Sequence, residues 1–425
     1  MTTEIRGKKL LILGATPNES CIVERAHDFG VYVIVTDYNT DHSLSPAKDI
    51  ADEYWNISWS DLDTLEGLCK EKKIDGVLAG YSEIRVDNAI KLCRRLGLPC
   101  YLKEDQLEIT RNKDAFKEEC RRFGIPVIKE YSNKGAVDKY PVIIKPTDRA
   151  GSIGVSIANN TEELDKAYDY AMEMSLKKHV IIEEYITDCS EVDIHYGIIN
   201  GQVFLLSSDD VIHAANNEID GKVIQSGWIC PERHQEMYMR DIHPQMKRLI
   251  ESIGIKNGTI FFSGFVSPDG EFRFFECGFR LWGPQEYRYT EKKGIINYLD
   301  IYIFYALLGT LKDLPRVEKG NNELKYVALW IYSKSGQINH ISGFSEVKDH
   351  PLCSQAILYC RNGQECKEDK AILSRLALFE FYSDSPKELM RAVEYAYETF
   401  KVTDKNGKDM VYDRIDSKII LNWWT

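Results

Sequence analysis

The sequence lacks the features that mark exported, membrane-spanning and nucleic-acid-binding proteins. Its first residues, MTTEIRGKKLLILGATPNES, contain a run of only about five apolar residues, too short for a signal-peptide core or for a membrane span of about 20 residues. Lysine and arginine number 54 against 66 aspartate and glutamate, giving a net charge of −12, and no block of five basic residues interrupts this acidic balance. These absences predict a cytoplasmic protein that binds neither membranes nor nucleic acid.

Several familiar short motifs are missing as well. The eleven cysteines show no CxxC spacing, so we expect reduced thiols, mostly buried. The chain contains no GxGxxG turn, no GK[ST] loop and no GxSxG nucleophile motif. What is present is ordinary for a folded protein: 44 % of the 425 residues are hydrophobic and 28 % are charged, and this length predicts two or three domains.

An alternating strand and helix pattern fills the N-terminal region. The apolar run KKLLILG is followed by CIVERAHDFG with helical spacing and by the strand-like VYVIVTD, and the pattern repeats through LDTLEGLCKEKK and IDGVLAG. It predicts an α/β domain with a doubly wound parallel sheet over about residues 8–102. Its first turn, GATPNES, has a single glycine, which predicts a scaffold or a partial substrate site rather than a dinucleotide site.

Short strands dominate the rest of the chain. GTIFFSGFVSPDGEFRFFE is typical of a hairpin with SPDG as its turn. LKDLPRVEKGNNE, rich in turn-forming residues, predicts a linker. Beyond it, strands such as YVALWIYS and GQINHISG and the helix PKELMRAVEYAYETF predict a further α+β domain.

Residues 143–158, IIKPTDRAGSIGVSIA, place Lys145 on a strand beside a turn of small residues. Backbone N–H groups in such a turn can close over phosphate oxygens while the lysine supplies positive charge. The alternative interpretation is a hairpin with a surface lysine.

Residues 179–197, HVIIEEYITDCSEVDIHYG, place Glu191, Asp193 and His195 on one face of a strand, because side chains alternate. Backbone groups where the preceding strand ends can read an adenine ring, and the first acid after it can hold ribose hydroxyls. The alternative is a solvated acidic face.

The order of these motifs resembles the ATP-grasp superfamily, which includes biotin carboxylase, the carbamoyl-phosphate synthase large chain, D-alanine ligases and L-amino-acid ligases. The resemblance rests on six pieces in sequence: the N-terminal βα region, RNKDAFK, VIIKP, the AGSIG turn, EEYI followed by an acid, and a hairpin ending in FFECGFR. It implies a Rossmann-like pre-ATP-grasp domain over residues 1–102, a two-lobed ATP-grasp domain over 103–318 with a lid at about 126–185, and a C-terminal α+β domain over 319–425.

The resemblance also implies ATP and Mg²⁺ as ligands and assigns roles to individual residues. The implied phosphate contacts are Lys113 and Lys145, and the implied flap over the phosphates is Gly151, Ser152, Ile153 and Gly154. The implied adenine-binding residues are Glu183, Glu184, Tyr185 and Ile186, and Glu191 would hold the ribose. Arg280, together with Lys145, would act in catalysis by stabilising the transferred phosphoryl group.

The implied metal site departs from the family pattern. Family members end the second hairpin strand in Glu-x-Asn-x-Arg, and here Glu276 and Arg280 match while glycine stands at 278. Counting back along the hairpin places Ser263, not an acid, opposite Glu276. Three interpretations stay open: one Mg²⁺ held by Glu276 and the phosphates, a site completed by an acid such as Glu286, or a nucleotide-binding fold without catalysis. Glu276 as a mere salt-bridge partner of Arg280 is a further alternative.

The function implied is an ATP-dependent carboxylate–amine ligase that forms an amide through an acyl-phosphate. Its substrates would be a small carboxylic acid and a small amine, and the resemblance implies a homodimer. Two alternatives are kept, an ATP-dependent carboxylase using bicarbonate and a catalytically decayed ATP-binding scaffold.

Overall fold

The computed structural model describes residues 4–148, 153–214, 224–283, 285–367 and 374–424. The strands in these residues are β1 Lys9–Leu13, β2 Tyr32–Thr36, β3 Glu53–Trp55, β4 Gly76–Leu78, β5 Glu130–Tyr131, β6 Val142–Pro146, β7 Ser156–Ala158, β8 Val180–Glu184, β9 Ser190–Ile199, β10 Gln202–His213, β11 Gln225–Cys230, β12 Gly258–Val266, β13 Phe272–Gly278, β14 Lys325–Tyr332, β15 Gly336–Gln337, β16 His340–Ser342, β17 Cys353–Leu358, β18 Glu365–Cys366, β19 Arg375–Ser383 and β20 Lys401–Thr403. The α-helices are α1 Ser20–Asp28, α2 Ala47–Ile50, α3 Leu62–Lys72, α4 Glu83–Leu96, α5 Glu104–Arg111, α6 Lys113–Arg122, α7 Thr161–Met174, α8 Gln235–Asp241, α9 His243–Ile253, α10 Tyr287–Lys292, α11 Tyr298–Leu308, α12 Phe344–Lys348 and α13 Pro386–Thr399.

The N-terminal region forms a parallel sheet in the order β3-β2-β1-β4, as the alternating pattern predicts. Strands β1, β2 and β4 are largely apolar and buried because helices cover the sheet, which is the usual reason for hydrophobic runs in parallel strands, whereas β3 at the edge is partly exposed. After this sheet, Asn112 begins α6 by accepting hydrogen bonds from the N–H groups of Asp114 at 3.0 Å and Ala115 at 3.3 Å. This cap fixes Lys113 as the first residue of the helix.

A small antiparallel sheet in the order β5-β8-β6-β7 follows. Helix α7 covers one of its faces, packing on Val142, Ile144 and Ile182. Because side chains alternate along a strand, Lys145 and Glu183 point away from α7.

The largest sheet is antiparallel and has the order β13-β12-β9-β10-β11-β14-β19-β17. Strand β11 pairs with β14, so strands that follow the predicted linker extend the sheet that precedes it. The predicted domain bounds 1–102, 103–318 and 319–425 stay a prediction.

The β12–β13 hairpin has the predicted turn, closed by the Gly270 N–H donating to the Ser267 carbonyl at 2.9 Å. Ser263 lies opposite Glu276, which confirms the count made from the sequence, and the register shifts immediately after Ser263. A bulge at this point brings no acid to the position.

One predicted strand is divided in two. GQINHISG forms β15 and β16 because its hydrogen-bonding partner changes within the segment: β15 pairs with β18, whereas β16 pairs with β20. All eleven cysteines are free thiols, as expected. Among the helices of the described residues, none has the length and hydropathy that a membrane crossing needs.

Candidate active site

A buried group of charges lies on the face of the small sheet that α7 leaves uncovered. Glu183 is fully buried and forms ion pairs with both Lys117 and Lys145. Lys117, itself fully buried on α6, also contacts Glu130 with 3.0 Å between Nζ and Oε2. Sequence reasoning assigned Glu183 to the adenine contacts and did not select Lys117. The structure places the Glu183 side chain between two lysines instead.

Burial weakens the positive charge of these lysines. Desolvation, together with the neighbouring charges of Lys117 and Lys113, lowers the pKa of Lys145 to about 7. Desolvation likewise lowers the pKa of Lys117. An anion that entered this site would favour the protonated form of Lys145 and would reverse this shift.

Lys113 and Glu276 are the nearest predicted site residues to this group. Lys113 is half-buried at the start of α6, close enough for its charge to act on Lys145. Glu276 comes from the opposite side, and its carboxylate raises the pKa of Lys145. Beside it on β13, the ring centroid of Phe275 lies 5.7 Å from the Lys145 ammonium. The structure therefore brings Lys113 and Glu276 close enough to Lys145 for their charges to act on it, where the small sheet faces β13 of the large sheet.

The metal-binding potential of the hairpin rests on Glu276. Ser263 offers no carboxylate, and its hydroxyl donates a 2.6 Å hydrogen bond to Asp193 on β9. Position 278 offers no side chain, and the ring of Phe261 fills the space beside Gly278. One carboxylate with phosphate oxygens suits a single Mg²⁺, which commonly takes one or two protein carboxylates. The donor set therefore fits one nucleotide-bound Mg²⁺.

Arg280 follows β13 and lies over the ring of Phe261, with 4.9 Å between the guanidinium carbon and the ring centroid. Its Nη1 donates to the Leu281 carbonyl at 3.0 Å. Within the described part of the chain, no ion pair joins Arg280 to Glu276. The salt-bridge alternative for Glu276 thus has no support in the geometry.

The predicted adenine-binding residues lie at the end of β8. The N–H groups of Glu184 and Tyr185 donate to the carbonyls of Lys129 at 3.0 Å and Pro141 at 3.1 Å. Both groups are therefore already used in the sheet, and a backbone contact to adenine would fall to Ile186. This role stays a prediction.

Glu191 lies on the large sheet and is nearly buried. One of its carboxylate oxygens contacts His213 Nε2 at 2.7 Å, and the other accepts from the Gln225 amide at 2.8 Å. A carboxylate oxygen accepts more than one hydrogen bond, so these contacts leave capacity for a ribose hydroxyl.

The predicted flap is described only in part. Gly151 and Ser152 lie outside the described residues. Ile153 is 47 % exposed, and Gly154 has φ of 76°, where a Cβ would approach Pro146 Cγ and Met174 Cβ at 2.8 Å each. Glycine at 154 is thus required by both conformation and space.

Sequence reasoning missed a group of buried acids farther across the large sheet. It placed Asp193 and His195 on the face of Glu191, and this is confirmed, because Val192 and Ile194 between them enter the opposite core. It did not connect them with Asp209, which lies opposite Asp193 in β10, or with Glu286, which lies beside Asp209. The alternation in SSDDVIH was an available signal for Asp209. The sequence indicated Glu286 only as an acid that could complete the site at Glu276, and the structure groups it with His195 and Asp209.

Comparison with known proteins agrees with this architecture. Residues 92–219 match the family described as D-ala D-ala ligase C-terminus. A D-alanine–D-alanine ligase from Fusobacterium nucleatum is 25 % identical over 174 residues, covering 40 % of this chain and 55 % of that protein. The L-amino acid ligase from Bacillus licheniformis superposes with a TM-score of 0.74 at 19 % identity, over 94 % of this chain and 100 % of that chain.

A further structure is the biotin carboxylase domain dimer of Hydrogenobacter thermophilus 2-oxoglutarate carboxylase, in complex with MgADP, ADP and bicarbonate. It has a TM-score of 0.76 at 17 % identity, over 98 % of this chain and 93 % of that chain. The chain has the ATP-grasp fold and is related to that superfamily through residues 92–219.

The ATP-grasp assignment confirms the predicted fold class, with an N-terminal parallel-sheet domain and antiparallel central and C-terminal sheets. Its relatives include amide-forming ligases and carboxylases. The chain spans about half the length of the curated relatives it matches. The residue roles within the ATP-grasp cleft stay predictions.

Proposed function

We propose that this ATP-grasp protein is an ATP-dependent carboxylate–amine ligase. The observation that carries the proposal is the position of Lys113 and Glu276 close enough to the buried Lys145 for their charges to act on it, at a site where desolvation and the neighbouring lysines lower the pKa of Lys145 to about 7. Such a site stabilises an anion more strongly than an exposed lysine does, because water screens the charges less.

The reaction proceeds in two displacements. A substrate carboxylate oxygen attacks the terminal phosphorus of ATP, the bond from that phosphorus to its bridging oxygen breaks, and ADP leaves. An amine nitrogen then attacks the acyl carbon, the bond from that carbon to the phosphate oxygen breaks, and the nitrogen releases a proton. The products are an amide, ADP and inorganic phosphate.

The chain contributes position and charge to these steps. Lys113 and Lys145 hold the phosphates, and the Arg280 guanidinium neutralises the negative charge on the transferred group. Glu276 would hold the Mg²⁺ that accompanies the nucleotide, and the ion would neutralise phosphate charge. Glu191 and the backbone after β8 would hold the nucleoside.

Two alternatives have specific support. The loss of side-chain ligands at Ser263 and Gly278 favours a nucleotide-binding scaffold that no longer turns over. The bicarbonate bound in the Hydrogenobacter thermophilus structure favours a carboxylase. That structure is of a dimer, and we also propose a homodimer for this chain.

A phosphate-release screen separates these functions. Purified protein is incubated with ATP, Mg²⁺ and pools of carboxylic acids and amines, each pool also being omitted in turn. The ligase releases phosphate only when an acid and an amine are both present. Release that needs bicarbonate instead identifies a carboxylase, and nucleotide binding without release from any pool identifies the scaffold.

The hairpin offers a matched pair of variants for the same assay. Glu276→Gln removes the proposed metal ligand and should abolish release while leaving the side-chain size unchanged. Glu271→Gln should have no effect, because Glu271 lies at the exposed end of the same hairpin, where it pairs with Arg273 at 3.3 Å. Equal loss in both variants would count against a role of Glu276 in turnover.

A further inference from the structure

The missed acids form a compact group on the large sheet. His195 Nε2 lies 3.0 Å from Asp209 Oδ2, and one ligand atom from each of His195, Asp209 and Glu286 lies within 4.8 Å of the others. Each of the three residues is at most 1 % exposed. They are contributed by β9, by β10 and by the residue preceding α10, so the fold itself assembles them.

These buried groups lack the partners that buried charges need. Five polar atoms of this group have no well-oriented hydrogen bond within the described residues. They are both carboxylate oxygens of Asp209, both ring nitrogens of His195 and Oε1 of Glu286. No lysine or arginine in the described part of the chain forms an ion pair with either acid. Buried ionised carboxylates are strongly unfavourable unless a cation or several donors compensate them.

The side chains suit a metal ion chemically, because imidazole nitrogen and carboxylate oxygen are both common ligands of divalent transition metals. Two carboxylates would balance the charge of one divalent ion.

We propose that His195, Asp209 and Glu286 bind a divalent transition-metal ion, Zn²⁺ or Mn²⁺, at a site separate from the nucleotide-bound Mg²⁺ at Glu276. The imidazole nitrogen distinguishes this site chemically, since Mg²⁺ takes oxygen ligands whereas imidazole suits transition metals. Tetrahedral ligands about 2.1 Å from one ion lie about 3.4 Å apart. The ligand atoms, which lie within 4.8 Å of one another, would therefore draw together by up to about 1.4 Å on binding.

Neighbouring side chains hold the proposed ligands in place. The ring of Trp282 stacks on His195 with 3.9 Å between centroids, and the Ser207 hydroxyl donates a short hydrogen bond to Glu286 Oε2. Such outer contacts orient ligands in metal sites. The buried thiol of Cys230 lies within hydrogen-bonding reach of Asp209, and it donates to the Tyr289 hydroxyl at 3.4 Å.

A substrate ammonium group is the competing occupant. Complete burial of all three ligands favours a single ion over an organic cation, which needs a cavity and a route to it. The experiment therefore includes amines as a separate arm. Because metal content is measured without turnover, its result does not depend on the proposed ligase activity.

The test uses the full chain, stripped with a chelator and then titrated with Zn²⁺, Mn²⁺ or Mg²⁺ without nucleotide. We expect about one equivalent of Zn²⁺ or Mn²⁺ to remain after gel filtration, as measured by mass spectrometry of the metal, and no retained Mg²⁺. Asp209→Asn and Glu286→Gln should each weaken binding by about tenfold or more. Glu276→Gln should bind the ion as the parent does.

Co²⁺ gives a second readout that does not depend on variants folding well. Bound to the parent protein at a mixed nitrogen and oxygen site, it should give visible absorption bands that excess Zn²⁺ removes. No uptake of Zn²⁺, Mn²⁺ or Co²⁺ by the stripped parent would overturn the proposal, as would unchanged uptake by folded Asp209→Asn. Thermal stabilisation of the stripped protein by an amine, lost in Asp209→Asn, would overturn it in favour of an ammonium site.

Discussion

Phe261 lies directly opposite Gly278 on the β12–β13 hairpin, and a Cβ atom at residue 278 would come within 2.4 Å of the Phe261 ring. The asparagine implied at this position by the family pattern therefore has no room. The guanidinium of Arg280 packs over the same ring. The Phe261 ring thus occupies the space that an asparagine metal ligand at position 278 would need.

This contact between Phe261 and Gly278 predicts how stability changes when asparagine is placed at position 278. Gly278→Asn alone should lower the free energy of unfolding by about 1–3 kcal/mol, because overpacking forces the Phe261 ring to move. Gly278→Asn should lower the free energy of unfolding by a smaller amount in a Phe261→Ala background, because the smaller side chain leaves space for the asparagine. A double-mutant cycle measured by urea unfolding checks this, and additive costs would show that the two side chains do not compete.

A second prediction concerns the two adjacent acids at the end of β8. Glu183 is fully buried between Lys117 and Lys145, whereas Glu184 pairs at 3.2 Å with Lys139, whose side chain is 71 % exposed. Glu183→Gln should lower the free energy of unfolding by about 3–5 kcal/mol, because the buried Lys145 loses its ion-pair partner and the buried Lys117 keeps only Glu130.

The neighbouring residue is the control for this change. Glu184→Gln removes the same charge one position along the strand, where solvent screens it. It should lower the free energy of unfolding by at most about 1 kcal/mol. Urea unfolding of the two variants measures both values. Similar losses of unfolding free energy in the two variants would mean that a group other than Glu183 compensates the positive charge of the buried lysines.

The sequence predicts local features of this site well and long-range ones poorly. Strand alternation places Glu191, Asp193 and His195 on one face. The SPDG turn fixes the register as far as Gly264 opposite Phe274, and a shift of one residue then sets Ser263 opposite Glu276. Both follow from the two-residue period of a strand and from a turn that joins neighbours in the chain.

Contacts between distant segments carry no such local signal. Lys117 and Glu183 are 66 residues apart, and Ser207 and Glu286 are 79 residues apart. Their pairing depends on how α6 meets the small sheet and how α10 meets the large one. The resemblance did not select Lys117 or Asp209, because each gains its importance only from a partner supplied by the tertiary fold.

A third prediction follows from the lowered pKa of Lys145 and concerns stability. A lysine in the unfolded chain has a pKa of about 10.4. The folded protein releases this proton near pH 7, so between about pH 7 and 10.4 the unfolded state binds more protons and folding stability rises with pH through this residue. Urea unfolding at several pH values should show this rise in the parent, and a smaller one in Lys145→Met.

Nucleotide binding should depend on pH in the opposite direction. Phosphate oxygens favour the protonated ammonium, so nucleotide affinity should fall as pH rises above about 7, the pKa of Lys145 in the free protein. Binding at pH 8 should then take up a proton, which calorimetry in buffers of different ionisation enthalpy detects. Lys145→Arg keeps the charge at every pH and should abolish the uptake, whereas Lys139→Arg on the exposed edge should leave it unchanged. Proton uptake that persists in Lys145→Arg would assign the titrating group to another residue, with Lys117 the first to examine because burial lowers its pKa as well.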